Sequence, residues 1–67
     1  MTLQKHLLHS DILKKLAKDN KSQRWLSKEL GISRATIYRL LEPGDTSMDS
    51  FLKFLEYLGE KSGKYIV

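Results

Sequence analysis

Serines and glycines divide this chain into short helical segments. Ser22, Ser33 and Ser47 each precede a segment in which apolar residues recur every three or four positions. A serine in that place caps a helix, because its hydroxyl accepts a hydrogen bond from a backbone N–H of the first turn. Gly31 and Gly59 follow two of these segments, and glycine readily adopts the left-handed conformation that ends a helix. The pattern predicts an all-α chain.

The first helix is predicted over residues 3–19, with one apolar stripe along it. Ser10 offers an alternative boundary, because it could cap a separate helix that begins at Asp11. The stripe contains Leu3, Leu7, Leu8, Ile12, Leu13, Leu16 and Ala17.

Three further helices are predicted over residues 23–30, 34–41 and 48–58. Proline and glycine at residues 42–45 predict a turn before the last of them. The short apolar end at residues 64–67 is typical of a strand, and no partner strand is evident elsewhere. We therefore expect it to pair with its copy across a dimer. The positions expected to face inward are Leu26, Ser27, Leu30, Ile37, Leu40, Leu41, Phe51, Leu52, Phe54, Leu55 and Leu58.

The length of 67 residues allows one domain, residues 1–67, with a thin core. The chain has no cysteine, so disulfides and thiolate metal sites are excluded, and self-association is the expected source of extra stability. No run of 18 apolar residues and no secretory signal pattern are visible, so a cytoplasmic protein without a membrane partner is expected.

Positive charge is concentrated in the middle of the chain. The net charge is +4, and residues 21–41 hold five basic side chains against one acidic one, including all three arginines. This asymmetry favours a polyanionic partner that meets one face of the protein. An ordinary solvated surface remains the alternative on charge alone.

Residues 22–41 have the spacing of a helix-turn-helix unit, in which a glycine turn joins two short helices. Small Ser27 permits close approach of the helices, and Ile32 fills the turn after Gly31. The stretch Ser22-Gln23-x-x-Leu26-Ser27-x-x-Leu30-Gly31-Ile32-Ser33-x-x-Thr36-Ile37 resembles the phage-repressor and Cro-like (XRE) helix-turn-helix family. The resemblance covers about residues 11–58 and implies a lambda-repressor-like bundle of four to five helices.

The resemblance also implies which residues contact DNA. The third helix would enter the major groove N-terminal end first. Residues 44–46 would lie near a phosphate. The positions expected to face base edges are Arg34, Ala35, Tyr38 and Arg39. The positions expected to contact the DNA backbone are Ser22, Gln23, Arg24, Lys28, Ser33 and Thr36.

The function expected from these residues is sequence-specific binding of double-stranded DNA by a transcriptional regulator, as a dimeric repressor on a palindromic operator. One alternative is an antitoxin that binds its toxin and represses its own operon, because HipB-type antitoxins resemble this chain and end in a strand that pairs across the dimer. A second alternative is a protein-binding module that does not contact DNA. The candidate partner or dimer contacts are Trp25, Tyr57, Tyr65, Ile66 and Val67. For Trp25, packing on the first helix or the C-terminal segment of its own chain is the alternative.

Catalysis, a metal site and a cofactor are not expected. His6 and His9 lie three residues apart on the predicted first helix, but no third ligand is close in sequence. No serine, histidine and aspartate are spaced as a triad, and a chain of this size has no sheltered pocket.

Overall fold

A computed structural model describes residues 3–42 and 46–66, in which the chain is all-helical. Two 3₁₀ turns, Arg39–Leu41 and Ser62–Lys64, accompany the α-helices. The longest helix has 14 residues, and none in this part of the chain has the length and apolar character needed to cross a bilayer. The α-helices are α1 (Lys5–Lys18), α2 (Gln23–Leu30), α3 (Arg34–Tyr38) and α4 (Met48–Leu58).

The helix boundaries agree closely with the serine and glycine pattern. The Oγ atom of Ser22 accepts a hydrogen bond from the backbone N–H of Trp25 at 3.1 Å, and Ser33 and Ser47 cap α3 and α4 in the same way. Gly31 ends α2 with φ 68° and ψ 35°. Helix α1 continues through Ser10, so the alternative boundary there is wrong. Most of the predicted turn at 42–45 lies outside the described residues.

The core is formed by one side of each long helix, and several predicted core positions are not part of it. The apolar stripe of α1 is narrower than predicted, because Leu7 and Leu13 are exposed by 40% and 37%, and Ala17 is exposed too. Leu41 and Leu52, predicted to face inward, are also exposed. The buried apolar residues are Leu8, Ile12, Leu16, Leu26, Ile37, Leu40, Phe51, Phe54, Leu55 and Tyr65.

The C-terminal segment packs on its own chain instead of forming a free strand. Ile66 forms an isolated antiparallel bridge with Leu3, and the N–H of Gln4 donates to the Tyr65 carbonyl at 2.6 Å. Residues 64–66 form no strand, and the prediction that the segment lacks a partner in its own chain is wrong. Pairing across a dimer is therefore not needed to satisfy this backbone.

Tyr65 fastens the C-terminal segment to α1. Its side chain is fully buried, and its hydroxyl donates to Oδ2 of Asp11 at 2.7 Å. This hydrogen bond lowers the pKa of Asp11, and burial raises the pKa of Tyr65. Lys64 adds an ion pair with the same carboxylate, with Nζ 3.3 Å from Oδ2. Residues 3–4 and 64–66 are thus held together beside α1.

The start of α1 contacts the end of the segment that follows α3. The Nζ atom of Lys5 donates to the backbone carbonyl of Glu42, and Nε2 of His6 lies 3.4 Å from the carbonyl oxygen of Leu41. Carbonyls at the end of a helical segment lack intrahelical donors and carry partial negative charge, so cationic and N–H donors stabilise them. These contacts fix the orientation of α3 relative to α1.

His9 is expected to make the stability of this fold depend on pH. Its side chain is 7% exposed, and its Nε2 atom has no hydrogen-bond partner among the described residues. Burial, reinforced by nearby His6, lowers the pKa of His9 below the ordinary value of 6.5. The unfolded chain therefore takes up a proton at a higher pH than the folded chain does. We expect the free energy of unfolding to fall as the pH drops below about 6.5.

Urea denaturation at several pH values between about 7.5 and 5 tests this expectation. The His9→Leu variant should lose part of the decrease, because leucine has no proton to gain. Asp11 does not contribute to the decrease in this pH range. Because its pKa is lowered in the folded chain, its contribution to the free energy of unfolding changes only below about pH 4. An equal decrease in both proteins would assign the pH dependence to other groups.

Candidate nucleic-acid interface

One face of α3 and its 3₁₀ extension is held in the core, and the opposite face is exposed. Ile37 and Leu40 are both 0% exposed. Successive residues of an α-helix are about 100° apart, so the exposed positions occupy one continuous arc of about 140°. Leu41 of the 3₁₀ extension is exposed as well. The residues on this arc that the sequence predicted to face base edges are Arg34, Ala35, Tyr38 and Arg39. The structure therefore brings the four predicted residues together on one surface.

The side chains of this surface are available to a ligand. Within residues 3–42 and 46–66, neither Arg34 nor Arg39 forms an ion pair or a side-chain hydrogen bond. Tyr38 is 54% exposed. A guanidinium group offers five donors in a planar fork that matches paired acceptors, and a tyrosine offers an apolar ring with a polar tip. The surface can donate hydrogen bonds at both ends and make apolar contact between them.

The beginning of α3 presents hydroxyl groups next to Arg34. The Oγ atom of Ser33 accepts from the backbone N–H of Thr36 at 3.4 Å and lies 3.1 Å from Oγ1 of Thr36. Ser33 is exposed and Thr36 is half-buried. A capping hydroxyl uses a lone pair for the backbone, and one of the two hydroxyl protons in this pair is left for an outside acceptor. Both predicted residues therefore lie where they can contact a phosphate or a base.

Helix α2 places the other predicted backbone contacts at its start and along one side. Ser22 caps the helix and is exposed, and Gln23 follows it and is half-buried. The Oε1 atom of Gln23 is buried without a hydrogen-bond partner among the described residues. Arg24 and Lys28 are exposed and lie on the same side of α2, since residues four apart are neighbours on a helix.

A small polar hollow lies between α3 and the start of α4, and the sequence did not predict it. Its volume is about 190 Å³, and its polar lining combines one guanidinium with hydroxyl groups. The Oγ1 atom of Thr46, one of the lining residues, is buried without a partner in the described part of the chain. Thr46 is also the one residue of the predicted phosphate-proximal stretch 44–46 that the structure describes. The lining residues are Thr36, Arg39, Thr46, Ser47 and Ser50.

Several carboxylates contact residues that do not belong to α3. Asp11 and Glu60 pair with Lys64, and Asp19 pairs with Lys15 at 3.5 Å. Glu29 and Glu56 line a separate hollow of about 480 Å³ on another side of α2. These acidic groups therefore do not neutralise Arg34 and Arg39.

Trp25 packs against its own chain, as the alternative for it proposed, although on a different element. Its ring meets that of Tyr57 of α4 edge to face, with centroids 5.9 Å apart, and Lys21 Nζ lies 5.2 Å from its centroid. Tyr57 is half-buried, and its hydroxyl donates to Asp19 at 3.3 Å.

The C-terminal candidates for a partner surface fare differently. The prediction that Tyr65 contacts a partner is wrong, because its side chain is fully buried and not available to a partner. Ile66 is half-buried beside Leu3, and Val67 lies outside the described residues.

The site as a whole offers hydrogen-bond donors from guanidinium, ammonium and hydroxyl groups. Among the described residues, no three histidine, cysteine, aspartate or glutamate side chains gather where they could hold a metal ion. Cationic and hydroxyl donors on an exposed helix suit recognition of an anionic polymer. Comparisons of the chain with family models, with curated proteins and with solved structures found no match.

Proposed function

We propose that this protein is a sequence-specific double-stranded DNA-binding transcriptional regulator. In this proposal α2, the turn at Gly31 and α3 form a helix-turn-helix unit of the lambda-repressor-like type, and α3 enters the major groove. One observation carries the proposal. The outer face of α3, from Arg34 to Arg39, is exposed and forms no ion pair with any described residue, and two fully buried side chains hold its inner face in the core.

The dimensions of the helix suit the groove. The major groove of B-DNA is about 12 Å wide, and an α-helix with its side chains is about 10–12 Å across. An approach with the N-terminal end first brings Ser33 and Arg34 deepest, with Tyr38 one turn behind. Each base pair presents a distinct pattern of donors and acceptors in this groove, so a few side chains can read sequence there.

Different residues would contribute to the affinity for DNA and to the discrimination between base sequences. Arg24, Lys28 and the start of α2 at Gln23 would contact phosphates, which fix the register of the protein on the duplex. Arg34 would make a bidentate contact with guanine, the commonest specific arginine contact. Arg39 lies further along the helix, beside the hydroxyl-lined hollow, and would contact a phosphate.

The proposed recognition helix α3, which we also call the reading helix, is short, and this favours a dimer on a palindromic operator. The segment from Arg34 to Leu41 reaches few base pairs, so two copies are needed for a selective site. Half-sites would be about 34–36 Å apart, one turn of the duplex. A protein with extents of 32 × 20 × 17 Å has the size to span this separation as two adjacent copies. Such a dimer would act as a repressor by occupying its operator, without catalysis or a cofactor.

The antitoxin alternative has one argument fewer. The resemblance of residues 64–67 to a strand that pairs across a dimer favoured it, whereas Ile66 pairs with Leu3 of the same chain. The contacts of Tyr65 with Asp11 give that segment a role within the fold.

Fluorescence anisotropy over a salt series tests the proposal. We expect tighter binding to duplex DNA from upstream of the protein's own operon than to a scrambled duplex. Four exposed cations, Arg24, Lys28, Arg34 and Arg39, predict that log K falls against log salt with a slope of about −3 to −4 per protomer. Absence of binding near 50 mM salt, or equal affinity for both duplexes with no salt dependence, would contradict it.

A further inference from the structure

Two large apolar side chains stand exposed on the outer side of α4. Met48 is 62% exposed and Leu52 is 53% exposed. Apart from Tyr38 on the α3 surface, they are the most exposed large apolar side chains in the described part of the chain. They lie four residues apart, so they are neighbours on the helix surface. Exposed apolar side chains that adjoin one another mark a contact surface more often than isolated ones do.

An apolar hollow adjoins this pair. Its volume is about 210 Å³, which is enough for one aliphatic side chain, and Met48 forms part of its wall. Thr46 belongs both to this hollow and to the polar hollow beside Arg39. The apolar surface therefore borders the end of the proposed reading helix. The lining residues are Leu3, Thr46, Met48, Phe51 and Ile66.

The charges beside the apolar pair are arranged so that the surface complements itself. Asp49 follows Met48 and is exposed. Lys53 follows Leu52, is half-buried, and also lines the hollow that Glu29 and Glu56 border. If two copies of α4 cross antiparallel at the level of Phe51, a two-fold axis places Asp49 of each copy opposite Lys53 of the other. An interface of this kind uses the same patch twice, so its charges must pair under that rotation. Asp49 and Lys53 meet this requirement.

We propose that a second copy of this chain docks on this surface, with α4 antiparallel to α4 and Leu52 of each copy entering the hollow of the other. We refer to Met48, Asp49, Leu52, Lys53 and the hollow as the α4 surface. The inference deepens the proposed function, and its consequence for DNA rests on that function. The α4 surface borders the end of α3, so a dimer formed through it would relate the two α3 helices by the two-fold axis that a palindromic operator requires.

The size of the α4 surface predicts weak association. A standard interface buries about 800 Å² per partner, and the whole accessible surface of the chain is 4659 Å². A stable dimer would thus cover about a sixth of the protein, more than the few side chains of this surface provide. We expect a dissociation constant in the micromolar range, and dimers that form fully on a palindromic duplex.

Sedimentation velocity over about 5–500 µM tests the docking surface. The wild-type chain should shift from monomer to dimer over this range. Leu52→Arg should raise the dissociation constant at least about tenfold, because it brings an unpaired charge to an apolar contact. Leu7→Arg is the matched control, since Leu7 is an exposed leucine on α1 and its replacement should leave the equilibrium unchanged. Thermal melts monitored by circular dichroism confirm that both variants fold.

A charge exchange tests the antiparallel arrangement. Asp49→Lys and Lys53→Asp each place like charges opposite one another and should weaken the dimer. The double variant restores opposite charges and should recover association relative to both single variants. A lysine in the first turn of α4 destabilises the helix equally in Asp49→Lys and in the double variant. Stronger dimerisation of the double variant therefore reports on the charge pair between residues 49 and 53 across the interface.

The outcomes separate this inference from the proposed function. A wild-type chain that stays monomeric throughout, or a Leu52→Arg variant that dimerises like Leu7→Arg, overturns the α4 surface. Failure of the double variant to recover overturns the antiparallel pairing. Salt-dependent binding to a single half-site duplex, measured with the same proteins, should persist in Leu52→Arg. Its loss in every protein, with dimerisation intact, would overturn DNA binding and leave the α4 surface in place.

Discussion

Replacing Arg34 by alanine is expected to weaken operator binding by about 1–3 kcal/mol per half-site, and a dimer would incur that loss twice. Arg34 is the first residue of α3, is exposed, and has no ion-pair partner in the described part of the chain. A bidentate contact discriminates one base pair, so the variant should also lose its preference at one position of each half-site. Anisotropy titrations against a set of single-substitution duplexes measure both effects.

Lys61→Ala provides the matched control for Arg34→Ala. It removes one exposed positive charge from the turn before the second 3₁₀ segment, outside α2 and α3. This variant should bind slightly more weakly through general electrostatics and keep its base preferences. If Arg34→Ala behaves like Lys61→Ala, Arg34 is not a base contact. An effect on affinity that is uniform across sequences would make it a phosphate contact.

Replacing Tyr65 by alanine is expected to lower the free energy of unfolding by about 3–5 kcal/mol, as for other buried aromatic residues. Chains of this size are commonly stable by only about 3–10 kcal/mol, so much of the protein should be unfolded at 37 °C. The ring of Tyr65 is fully buried, and the backbone carbonyl of Tyr65 accepts a hydrogen bond from the N–H of Gln4. Urea denaturation followed by circular dichroism measures the loss.

Tyr65→Phe separates the hydroxyl from the ring. It should cost about 1.5–3 kcal/mol, because the hydrogen bond to Asp11 has a charged acceptor. The pKa of Asp11 is lowered by this hydrogen bond, so its contribution is present above the usual carboxyl pKa and is lost as the pH falls below about 4. The difference between wild type and Tyr65→Phe should therefore shrink in acid. A near-neutral Tyr65→Ala variant would show that the C-terminal segment does not support the fold.

The helix boundaries and the outer face of α3 were predictable because they depend on neighbouring residues. A capping serine, a left-handed glycine and the spacing of Ile37 and Leu40 all act within a few positions of each other. Local hydrogen bonds and helical periodicity decide such features before any tertiary contact forms.

The wrong predictions of burial concern residues whose exposure is not decided by the local sequence pattern. Leu41 was expected inside, but the chain tightens to a 3₁₀ turn at Arg39, which advances each residue by about 120° and rotates Leu41 into solvent. Leu52 directly follows Phe51 and so lies about 100° around α4 from it, beyond the side that meets the core.

Tyr65 was misjudged because its burial depends on a partner distant in sequence. It bonds to Asp11, which lies 54 residues away. The hydroxyl-lined hollow was missed for the same reason, since Thr36 and Arg39 come together with Ser47 and Ser50 only after α4 packs. Contacts across such distances leave no periodic signal in one sequence.

The bridge between Leu3 and Ile66 has a practical consequence for fusion proteins. Any polypeptide joined before Leu3 or after Ile66 would leave the fold at nearly one point, and both residues line the apolar hollow beside Met48. An affinity tag or fluorescent fusion at either end would therefore crowd the hollow on which the second copy is proposed to dock. Protein without a tag is therefore the appropriate material for measuring the monomer–dimer equilibrium.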